Sequence, residues 1–476
     1  MIQSDEMAVV DANSEALGVP RKQLMESSGN AVARAVRDRT APGESVAFVC
    51  GRGNNGGDAM VAARFLSDRK VTVHLLGRPA TISTDIAREN WAALEAAELD
   101  ARVVRDSAEF AIDSPALVVD AMLGTGVTGR LREPEATIAR RLNEAAVPVL
   151  SVDVPSGIDA DTGEAAGPAV EADAVVTFHD MKPGLEALDV TVTVADIGIP
   201  DAAERLVERG DLLRLSRRPE SHKGDHGEVL VVGGGPYTGA PALAAQAALR
   251  AGADLVRVAC PEQIARDVQG YAEELIVRGF TGDRLRPTVV DSLLDRAATH
   301  DAVVLGPGLG NIDETLAAVQ SFLTEYDGTA VVDADALQVV PTVETDATLV
   351  CTPHQGELRA MGGETAEDPR ERAKLVESFA TELGHTLLVK GAQDVVSDGE
   401  VTRRNRTGNP GMTVGGTGDV LAGVVAALVC RLPTHAAAAV GAYATGRAGD
   451  RVVERQGHGL LAGDLLAELS PALRYD

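Results

Sequence analysis

The chain has 476 residues, of which 45% are apolar and only 3% are aromatic, so we expect two domains whose cores consist mainly of Val, Leu and Ala. The net charge is -27 because 71 acidic residues oppose 44 basic ones, of which only six are Lys. Such a surface argues against nucleic acid and anionic membranes as partners, because both are themselves negatively charged.

The first half of the chain alternates apolar, β-rich runs with amphipathic segments. This alternation predicts an α/β domain with parallel strands that are covered on both faces. We predict strands at 45–50, 72–77, 116–121, 148–154 and 174–178.

The first of these strands runs into a glycine-rich loop and a helix, GRGNNGGDAMVAARFL (51–66). The free N–H groups at the start of a helix favour an anion, so this loop is a candidate phosphate cradle. Asp120 and Asp153 end two further strands, and Lys182 follows the strand 174–178. Since the carboxyl ends of parallel strands meet at one edge, we expect one crevice there. The alternative is that these polar residues only form turns and helix caps.

A polar segment that is basic for this chain, at 211–227, separates the first set of βα units from a second set. We therefore predict domains at 1–212 and 213–476, both α/β with mainly parallel sheets. Strands in the second domain are predicted at 228–234, 255–260, 302–306, 330–335, 348–353 and 386–391.

The segment Asn409 to Asp419, NPGMTVGGTGD, precedes an apolar run that is typical of a helix. Its glycines allow close backbone approach to a ligand, and the helix start favours an anion. Asp419 is placed to take a proton from a hydroxyl that lies against the bound phosphate, which indicates phosphoryl transfer to an alcohol. The pattern is not a P-loop, since no Lys-Ser/Thr follows. The alternative is a glycine-rich turn before a buried helix.

Other polar residues of this half also follow predicted strands. The turn 307–310, the pair Asp333 and Asp335, His354 and Lys390 each come directly after one strand. Each has a simpler interpretation as a tight turn, helix caps, a hydrogen-bonded loop His or a surface charge. Their common placement at strand ends favours a shared site.

Several motifs of the second half, in order, resemble the NAD(P)H-hydrate dehydratase family, a branch of the ribokinase-like superfamily. They are HKGDHGEVLVVGG (222–234), TGAPALAAQAALRAGADLV (238–256), GPGLG (306–310), DADAL (333–337), TPHQGE (352–357), VKG (389–391) and NPGMTVGGTGDVLAG (409–423). The resemblance implies a ribokinase-like α/β fold. It also implies that AMP binds at Lys390, Gly391, Ala392, Gln393, Asp394 and Gly418, and the hydrate at Ala240, Gly308 or Gly310, His354 and Asp419. One departure is Asp394, since the family usually has Thr there.

This resemblance implies a reaction in which the hydroxyl of the hydrated nicotinamide is phosphorylated and then expelled. Phosphorylation converts a poor leaving group into a good one, with Asp419 as general base and the GGTGD amides stabilising the transferring group. The implied cofactor is Mg²⁺ and the implied phosphoryl donor is ADP, although the sequence leaves ATP open.

The first half resembles the NAD(P)H-hydrate epimerase domain through 19–36 and the signatures NNGGD, VDAMLGTG and DVPSG. The resemblance implies a Rossmann-like three-layer α/β fold, with Asp153 as acid/base and Lys182 as a weaker catalytic candidate. The implied K⁺ ligands are Asn55, Asp120 and Ser156. The implied dinucleotide-binding residues are Asn54, Asn55, Gly56, Gly57, Asp58, Gly124, Thr125, Gly126, Val127, Thr128, Gly129, Arg130 and Asp153.

Together the two halves predict a bifunctional enzyme that repairs hydrated NADH and NADPH. One alternative is a ribokinase-like kinase of a small alcohol, such as a vitamin precursor, with an N-terminal ligand-binding module. A second is that the N-terminal half binds a nucleotide-like ligand or a protein without catalysis. The Arg-rich, acidic composition favours a hydrated, halophilic surface over one that binds a basic partner.

The cysteines and the chain start favour a cytoplasmic protein. Cys50, Cys260, Cys351 and Cys430 form no CxxC pair, so we expect reduced thiols and no cysteine metal site. The first residues lack signal-peptide features and no run is long enough to span a membrane. We further expect a homo-oligomer.

Overall fold

The computed structural model describes residues 1–126, 129–217 and 220–475. The chain divides into two compact units, Met1–Ala203 and Glu204–Asp476. The observed division lies nine residues before the predicted one at 212. The reason is the short strand Leu206–Val207, which pairs with a strand of the second unit.

The first unit contains a seven-stranded sheet in which every neighbouring pair is parallel. Its strands are β1 (Ser45–Cys50), β2 (Lys70–Leu76), β3 (Asp100–Val104), β4 (Leu117–Ala121), β5 (Val149–Val152), β6 (Ala174–Phe178) and β7 (Thr191–Ala195). The strand order is β3-β2-β1-β4-β5-β6-β7. The order reverses between β1 and β4, and such a reversal opens a crevice at the carboxyl ends of the strands.

Helices cover this sheet and bury its apolar residues. They are α1 (Ser4–Ala16), α2 (Arg21–Arg37), α3 (Asn54–Phe65), α4 (Asp85–Ala96), α5 (Glu135–Glu144), α6 (Pro183–Glu186) and α7 (Ala202–Arg205), the last of which crosses the division between the units. All five residues of β4 and of β6 are buried, as expected for central parallel strands covered on both faces.

The second unit contains a ten-stranded mixed sheet of order β11-β10-β9-β12-β13-β14-β15-β16-β17-β8. Strands β9 to β15 pair in parallel, whereas β16 is antiparallel to both β15 and β17. The strands are β8 (Leu206–Val207), β9 (Glu228–Val232), β10 (Leu255–Pro261), β11 (Ile276–Phe280), β12 (Ala302–Leu305), β13 (Thr329–Val332), β14 (Thr348–Cys351), β15 (Thr386–Val389), β16 (Asp394–Ser397) and β17 (Thr402–Asn405).

Ala-rich helices allow close packing on this sheet. The helices are α8 (Gly239–Arg250), α9 (Ala265–Gln269), α10 (Val290–Ala297), α11 (Asp313–Glu325), α12 (Gln355–Ala360), α13 (Pro369–Leu383), α14 (Thr417–Val429), α15 (Thr434–Gln456) and α16 (Ala462–Ala472). Residues 420–428 of α14 are all buried, which makes α14 the central helix of the core.

The two predicted α/β domains are thus present, and each predicted strand coincides with an observed strand to within a few residues. All four cysteines are free thiols, and three of them are buried. Within the described ranges, no helix is both long and apolar enough to cross a membrane.

Candidate active sites

The glycine-rich loop of the first unit connects β1 to α3 and lies against the end of β4. A Cβ at Gly51 would come within 1.8 Å of the Met122 carbonyl oxygen, and one at Gly56 within 2.2 Å of the Gly51 carbonyl oxygen. Any residue larger than glycine would clash at these two positions, so the glycines allow the backbone of this loop to pack tightly. The start of α3 at Asn54 therefore lies at the reversal of strand order.

Polar residues from α3, β4, β5 and the loop after β5 meet beside this helix start. Asp120 is fully buried and accepts hydrogen bonds from the Ser156 hydroxyl (2.6 Å), the Ser156 N–H (2.9 Å) and the Ser151 hydroxyl (2.8 Å). Asn55 donates from Nδ2 to the carbonyl oxygens of Leu123 (2.8 Å) and Val152 (3.1 Å). The structure therefore brings the three predicted K⁺ ligands together around the Leu123 backbone.

The donor set of this cluster suits a hard cation. The buried Oδ1 atom of Asn55 has no hydrogen-bond partner, although a buried polar atom normally has one. Carbonyl, amide, carboxylate and hydroxyl oxygens are the ligands that hard cations prefer. No cluster of three or more His, Cys, Asp or Glu suited to a metal occurs among the described residues, so any cation here must use neutral oxygens as well.

Asp153 follows β5 with a left-handed backbone, φ 67°. This conformation is costly for a residue other than glycine and is often retained at functional sites. Its carboxylate accepts hydrogen bonds from the Thr177 hydroxyl (3.1 Å) and the Thr125 N–H (3.3 Å). The side chain is 13% exposed, so it is held in position yet accessible to a substrate.

Lys182 lies next to Asp153, with 3.8 Å between Nζ and Oδ1. The Lys182 side chain is only 1% exposed, and its ammonium group donates to the carbonyl oxygens of Phe178 (2.8 Å) and Asp180 (2.9 Å). Burial lowers the pKa of Lys182, although Asp153 and Asp180 oppose this. Lys182 is thus enclosed by protein groups, and Asp153 is the more accessible of the two side chains.

Two further carboxyl groups surround Asp153. Burial is the main cause that raises the pKa of Asp58, and Asp153 and Asp11 add to it. Burial also raises the pKa of Asp11 to about 6, with Arg21 opposing and Asp153 adding to the shift. The sequence analysis missed Asp11, because a single carboxylate in the amphipathic helix α1 carries no distinguishing signal.

The predicted dinucleotide loop 124–130 lies beside these groups where it is described. A Cβ at Gly124 would lie 3.1 Å from Asn55 Cγ and 3.3 Å from Asp153 Oδ2. Gly129 has φ 90°, and the Arg130 side chain packs against Gly167. Gly126 is exposed. The predicted residues Val127 and Thr128 lie outside the described residues.

In the second unit, the predicted phosphate cradle leads into α14. Gly416 immediately precedes the helix with φ 97°, a conformation that glycine adopts readily. The Thr417 hydroxyl donates to the carbonyl oxygens of Met412 (2.9 Å) and Val414 (3.1 Å), which fixes the preceding turn. Asp419 lies in the first turn of α14, where the helix N–H groups have no partners within the helix.

An ion pair between Asp333 and Lys390 lies beside the phosphate cradle. Asp333, 2% exposed, accepts hydrogen bonds from Lys390 Nζ (2.9 Å) and the Thr352 hydroxyl (2.8 Å). A Cβ at Gly418 would lie 3.2 Å from Lys390 Nζ. Asp333 therefore does not cap the following helix and Lys390 is not a free surface charge, so both simpler interpretations are wrong.

Asp419 has an unusual electrostatic environment. Its pKa is raised to about 7, first by burial and then by the charge of Asp333, with Glu357 adding to the shift and Lys390 opposing it. The pKa of Lys390 is itself raised: burial alone lowers it, but Asp333 and Glu357 outweigh burial. A carboxyl group with a pKa near neutrality is suited to accept a proton in a reaction.

His354 begins α12 and also lies at this edge. Its Nδ1 atom accepts hydrogen bonds from the N–H groups of Gly356 (2.9 Å) and Glu357 (3.0 Å). The backbone of His354 bridges to Lys390, and the Lys390 N–H donates to the Pro353 carbonyl oxygen at 2.8 Å. The imidazole is 59% exposed, and its Nε2 atom lies 3.5 Å from Glu357 Oε1.

The loop from Lys390 connects β15 to β16. Asp394 accepts hydrogen bonds from the Gly391 N–H (3.0 Å) and from Asn405 Nδ2 (2.9 Å). Burial raises the pKa of Asp394 to about 6. The Gln393 carbonyl oxygen accepts from Arg372 at 3.0 Å, and the intervening Ala392 is exposed. The Asp394 carboxylate thus connects the end of the loop 390–394 to its beginning.

The last predicted part of this site is the loop after β12, which packs against the start of α8. Gly308, with φ 74°, lies so close to the Tyr237 carbonyl oxygen and Ala240 that a Cβ would come within 2.7 Å and 3.3 Å of them. Gly310, with φ 84°, packs against Pro236 in the same way. The two loops form one wall at the carboxyl edge of the sheet.

Comparisons with known proteins identify the family of both halves of the chain. Residues 229–471 match the NAD(P)H-hydrate dehydratase family, and residues 21–184 match the family described as YjeF-related protein N-terminus. The bifunctional NAD(P)H-hydrate repair enzyme Nnr of Methanothermobacter thermautotrophicus is 42% identical, covering 97% of this chain and 93% of the relative. The chain belongs to the family of bifunctional NAD(P)H-hydrate repair enzymes.

Other relatives confirm this family assignment over the whole length. The Nnr enzyme of Pyrobaculum aerophilum is 42% identical and that of Archaeoglobus fulgidus 41%, each covering 99% of this chain and 98% of the relative. The protein is thus a bifunctional repair enzyme with epimerase and dehydratase activities, as the sequence predicted. The kinase alternative explains only the second half of this match.

Solved structures support the fold of the second unit. A ribokinase-like superfamily protein of Enterococcus faecalis V583 has a TM-score of 0.50 and 23% identity, covering 56% of this chain and 95% of its own. A hypothetical protein of Streptococcus mutans has a TM-score of 0.50 and 24% identity, covering 56% and 98%. The predicted ribokinase-like fold is therefore confirmed.

Proposed function

We propose that the C-terminal unit converts the S form of hydrated NADH or NADPH to NAD(P)H at the expense of ADP, giving AMP and phosphate. The N-terminal unit interconverts the R and S forms. The observation that carries the proposal is Asp419, a carboxyl group with a pKa of about 7 in the first turn of α14 beside the Asp333–Lys390 ion pair. Asp419 provides the base, and the start of α14 provides an anion-binding site next to it.

The reaction follows from this geometry. Asp419 accepts the proton of the ring hydroxyl as the hydroxyl oxygen attacks the β-phosphorus of ADP and AMP leaves. N–H groups at the start of α14 stabilise the charge on the transferring phosphoryl group. The lone pair of the ring nitrogen then expels phosphate, and loss of a proton from the adjacent ring carbon restores the dihydronicotinamide. Mg²⁺, when bound with ADP, offsets the charge of its phosphates.

The remaining residues of this unit divide into two ligand sites. The positions assigned to AMP are Lys390, Gly391, Ala392, Gln393, Asp394 and Gly418, and those assigned to the hydrate are Ala240, Gly308 or Gly310, His354 and Asp419. In support, Gly418 at the start of α14 lies beside Lys390 of the first group, and Gly416 contacts Leu243 of α8, the helix that contains Ala240. Asp394 holds its loop through the Gly391 N–H, so it replaces the usual Thr in shaping the loop.

In the N-terminal unit, Asp153 moves the proton that allows the hydrated carbon to invert. Its strained backbone and its hydrogen bonds from Thr125 and Thr177 fix the carboxylate. The buried ammonium group of Lys182 lies 3.8 Å from the Asp153 carboxylate and places a positive charge beside it. The residues of 54–58 and 124–130 bind the dinucleotide, since they surround Asp153 where they are described.

Asn55, Asp120 and Ser156 hold K⁺ in this proposal. The unpaired Oδ1 atom of Asn55 is the observation that supports a cation, because a bound ion supplies its missing partner. Asn55, which would bind the cation, lies against Gly124 of the dinucleotide loop, so the cation would supply positive charge near the substrate phosphates.

The dehydratase proposal is tested by incubating hydrated NADH with the protein, Mg²⁺ and either ADP or ATP. We expect the near-ultraviolet absorbance of NADH to return with ADP, and AMP and phosphate to accumulate in equal amounts. The matched control is Asp419→Asn, which keeps the shape of the side chain and removes the base. No recovery of absorbance with either nucleotide would refute the proposal.

A further inference from the structure

Two exposed tyrosines stand out in a chain that has few aromatic residues. Tyr237 is 63% exposed and Tyr271 is 53% exposed, and no other Phe, Trp or Tyr within the described ranges is exposed. Exposing an aromatic ring to water is unfavourable, and this protein otherwise places its rings in or against the core. Neither ring is therefore explained by the packing of the fold.

The two tyrosines lie close together. Thr238, which follows Tyr237 in the chain, shares a hydrogen bond of 3.1 Å with the Tyr271 hydroxyl. Tyr237 belongs to the loop after β9, whereas Tyr271 lies between α9 and β11, so residues 33 positions apart are connected directly. We call Tyr237 and Tyr271 the tyrosine pair.

The tyrosine pair borders the dehydratase site. The carbonyl oxygen of Tyr237 packs on Gly308, and Tyr237 lies two residues before the start of α8. Leu243, one turn into α8, contacts Gly416 immediately before α14, where a Cβ would lie 2.8 Å from Leu243 Cδ1. The pair is therefore at the same end of α8 as the Asp419 loop.

The strand order places the pair on the opposite side of the site from the proposed ADP loop. Tyr237 follows β9 and the loop 390–394 follows β15, four strands away in the sheet, or about 19 Å. The hydrate substrate carries an adenylate of its own. If ADP occupies the loop 390–394, the adenylate of the substrate has to extend towards the other side of the site, where the tyrosine pair lies.

We propose that the tyrosine pair binds the adenine ring of the hydrated dinucleotide by stacking. This inference rests on the proposed dehydratase function and adds a subsite to it. Adenine has a full aromatic face, whereas the hydrated nicotinamide has lost its aromatic ring, so adenine is the better stacking partner. The pair thereby positions the substrate without taking part in the chemistry.

The test compares hydrated NADH with hydrated reduced nicotinamide mononucleotide, which lacks the adenylate. For Tyr237→Ala and Tyr271→Ala we expect the KM for hydrated NADH to rise about tenfold, equivalent to about 1.4 kcal/mol, with kcat unchanged. The KM for the mononucleotide should not change. Tyr237→Phe should retain the KM of the unchanged protein, because the ring that stacks remains.

A matched surface control is Val401→Ala, since Val401 is also exposed, at 48%, but lies between β16 and β17. It should leave both KM values unchanged. An equal rise in both KM values, no rise in either, or a change in oligomeric state with the alanine variants would overturn the adenine subsite. Absence of turnover by the unchanged protein would instead overturn the proposed dehydratase function and the subsite with it.

Discussion

At the scale of single residues, Asp419 shows how burial changes the pKa of a carboxyl group. A carboxyl group in water is ionised near pH 4 and binds protons weakly at neutral pH. In the protein, burial and the nearby Asp333 raise the pKa of Asp419 to about 7. The same side chain thus gains the proton affinity that general-base catalysis requires.

This shift predicts the pH dependence of the dehydratase. Because Asp419 must be ionised to accept a proton, kcat should fall about tenfold per pH unit well below 7 and level off above 7. Asp419→Asn should lower kcat by about 10²–10⁴ and abolish this dependence. The measurement is the initial rate with saturating hydrated NADH and ADP between pH 5 and 9. A profile that stays flat through pH 7 in the unchanged protein would contradict the assignment.

The raised pKa of Asp419 also makes the stability of the unit depend on pH. Low pH favours stability, whereas high pH favours catalysis. The pKa of Asp419 is higher in the folded protein than in the unfolded chain, so folding favours the protonated form. The stability that the proton provides is present below about pH 4 and is lost as the pH rises through 7. Asp419 therefore destabilises the unit at neutral pH, as expected for a group retained for catalysis.

The residues predicted for the two sites follow strands or glycine-rich loops, whereas two of their neighbours that were not predicted do not. Asp153, Lys390 and Asp419 were predicted because each lies after a strand or a glycine-rich loop, and parallel strands bring such positions together. Asp11 lies on a helix and Thr177 inside a strand, and their positions beside the epimerase site depend on tertiary packing. No local pattern distinguishes these two from ordinary helix and strand residues.

At the scale of elements, the contact between α8 and α14 sets the position of the phosphate cradle. A Cβ at Gly423 of α14 would come within 2.0 Å of the Ala244 carbonyl oxygen of α8. The two helix backbones therefore touch, and α14 cannot approach α8 this closely with any larger residue. Since Asp419 is one turn away on α14, this contact also orients the base.

Gly423→Ala should accordingly destabilise the protein. The added methyl group has to separate α8 from α14, which costs about 1–3 kcal/mol, and it should also reduce dehydratase kcat by displacing Asp419. The control is Gly463→Ala in α16, where a Cβ has open space. There the substitution should be neutral or stabilise the helix by up to about 1 kcal/mol. Thermal unfolding checks both, and equal effects of the two substitutions would disprove the packing argument.

Elements were predictable where both faces are buried. The strands seen in the sequence are nearly continuous apolar runs, such as β4 and β6, whose residues are all buried. The missed strands β3 and β7 lie at the two edges of the first sheet, and only one residue of each is buried. Edge strands are defined by pairing with a neighbour and not by an apolar pattern, so their sequences gave no signal.

At the scale of the whole molecule, the protein binds anionic substrates despite a net charge of -27. The general field repels nucleotides, so attraction has to come from local groups such as helix starts, Lys390 and the proposed cations. Added salt screens the repulsion between distant charges more than contacts inside a site.

The fusion of two units predicts activities that separate by mutation. Each unit has its own catalytic carboxylate, and only the S hydrate is a substrate for dehydration in our proposal. Asp153→Asn should therefore slow conversion of the R hydrate to NADH by about 10²–10⁴ while S-hydrate turnover persists. Asp419→Asn should stop net repair of both forms, yet R and S should still interconvert, which chromatography of the hydrates can follow.

Mixing the two variants should restore repair of the R form, because the S hydrate diffuses between molecules. Equal loss of S-hydrate turnover in both variants would contradict two independent sites.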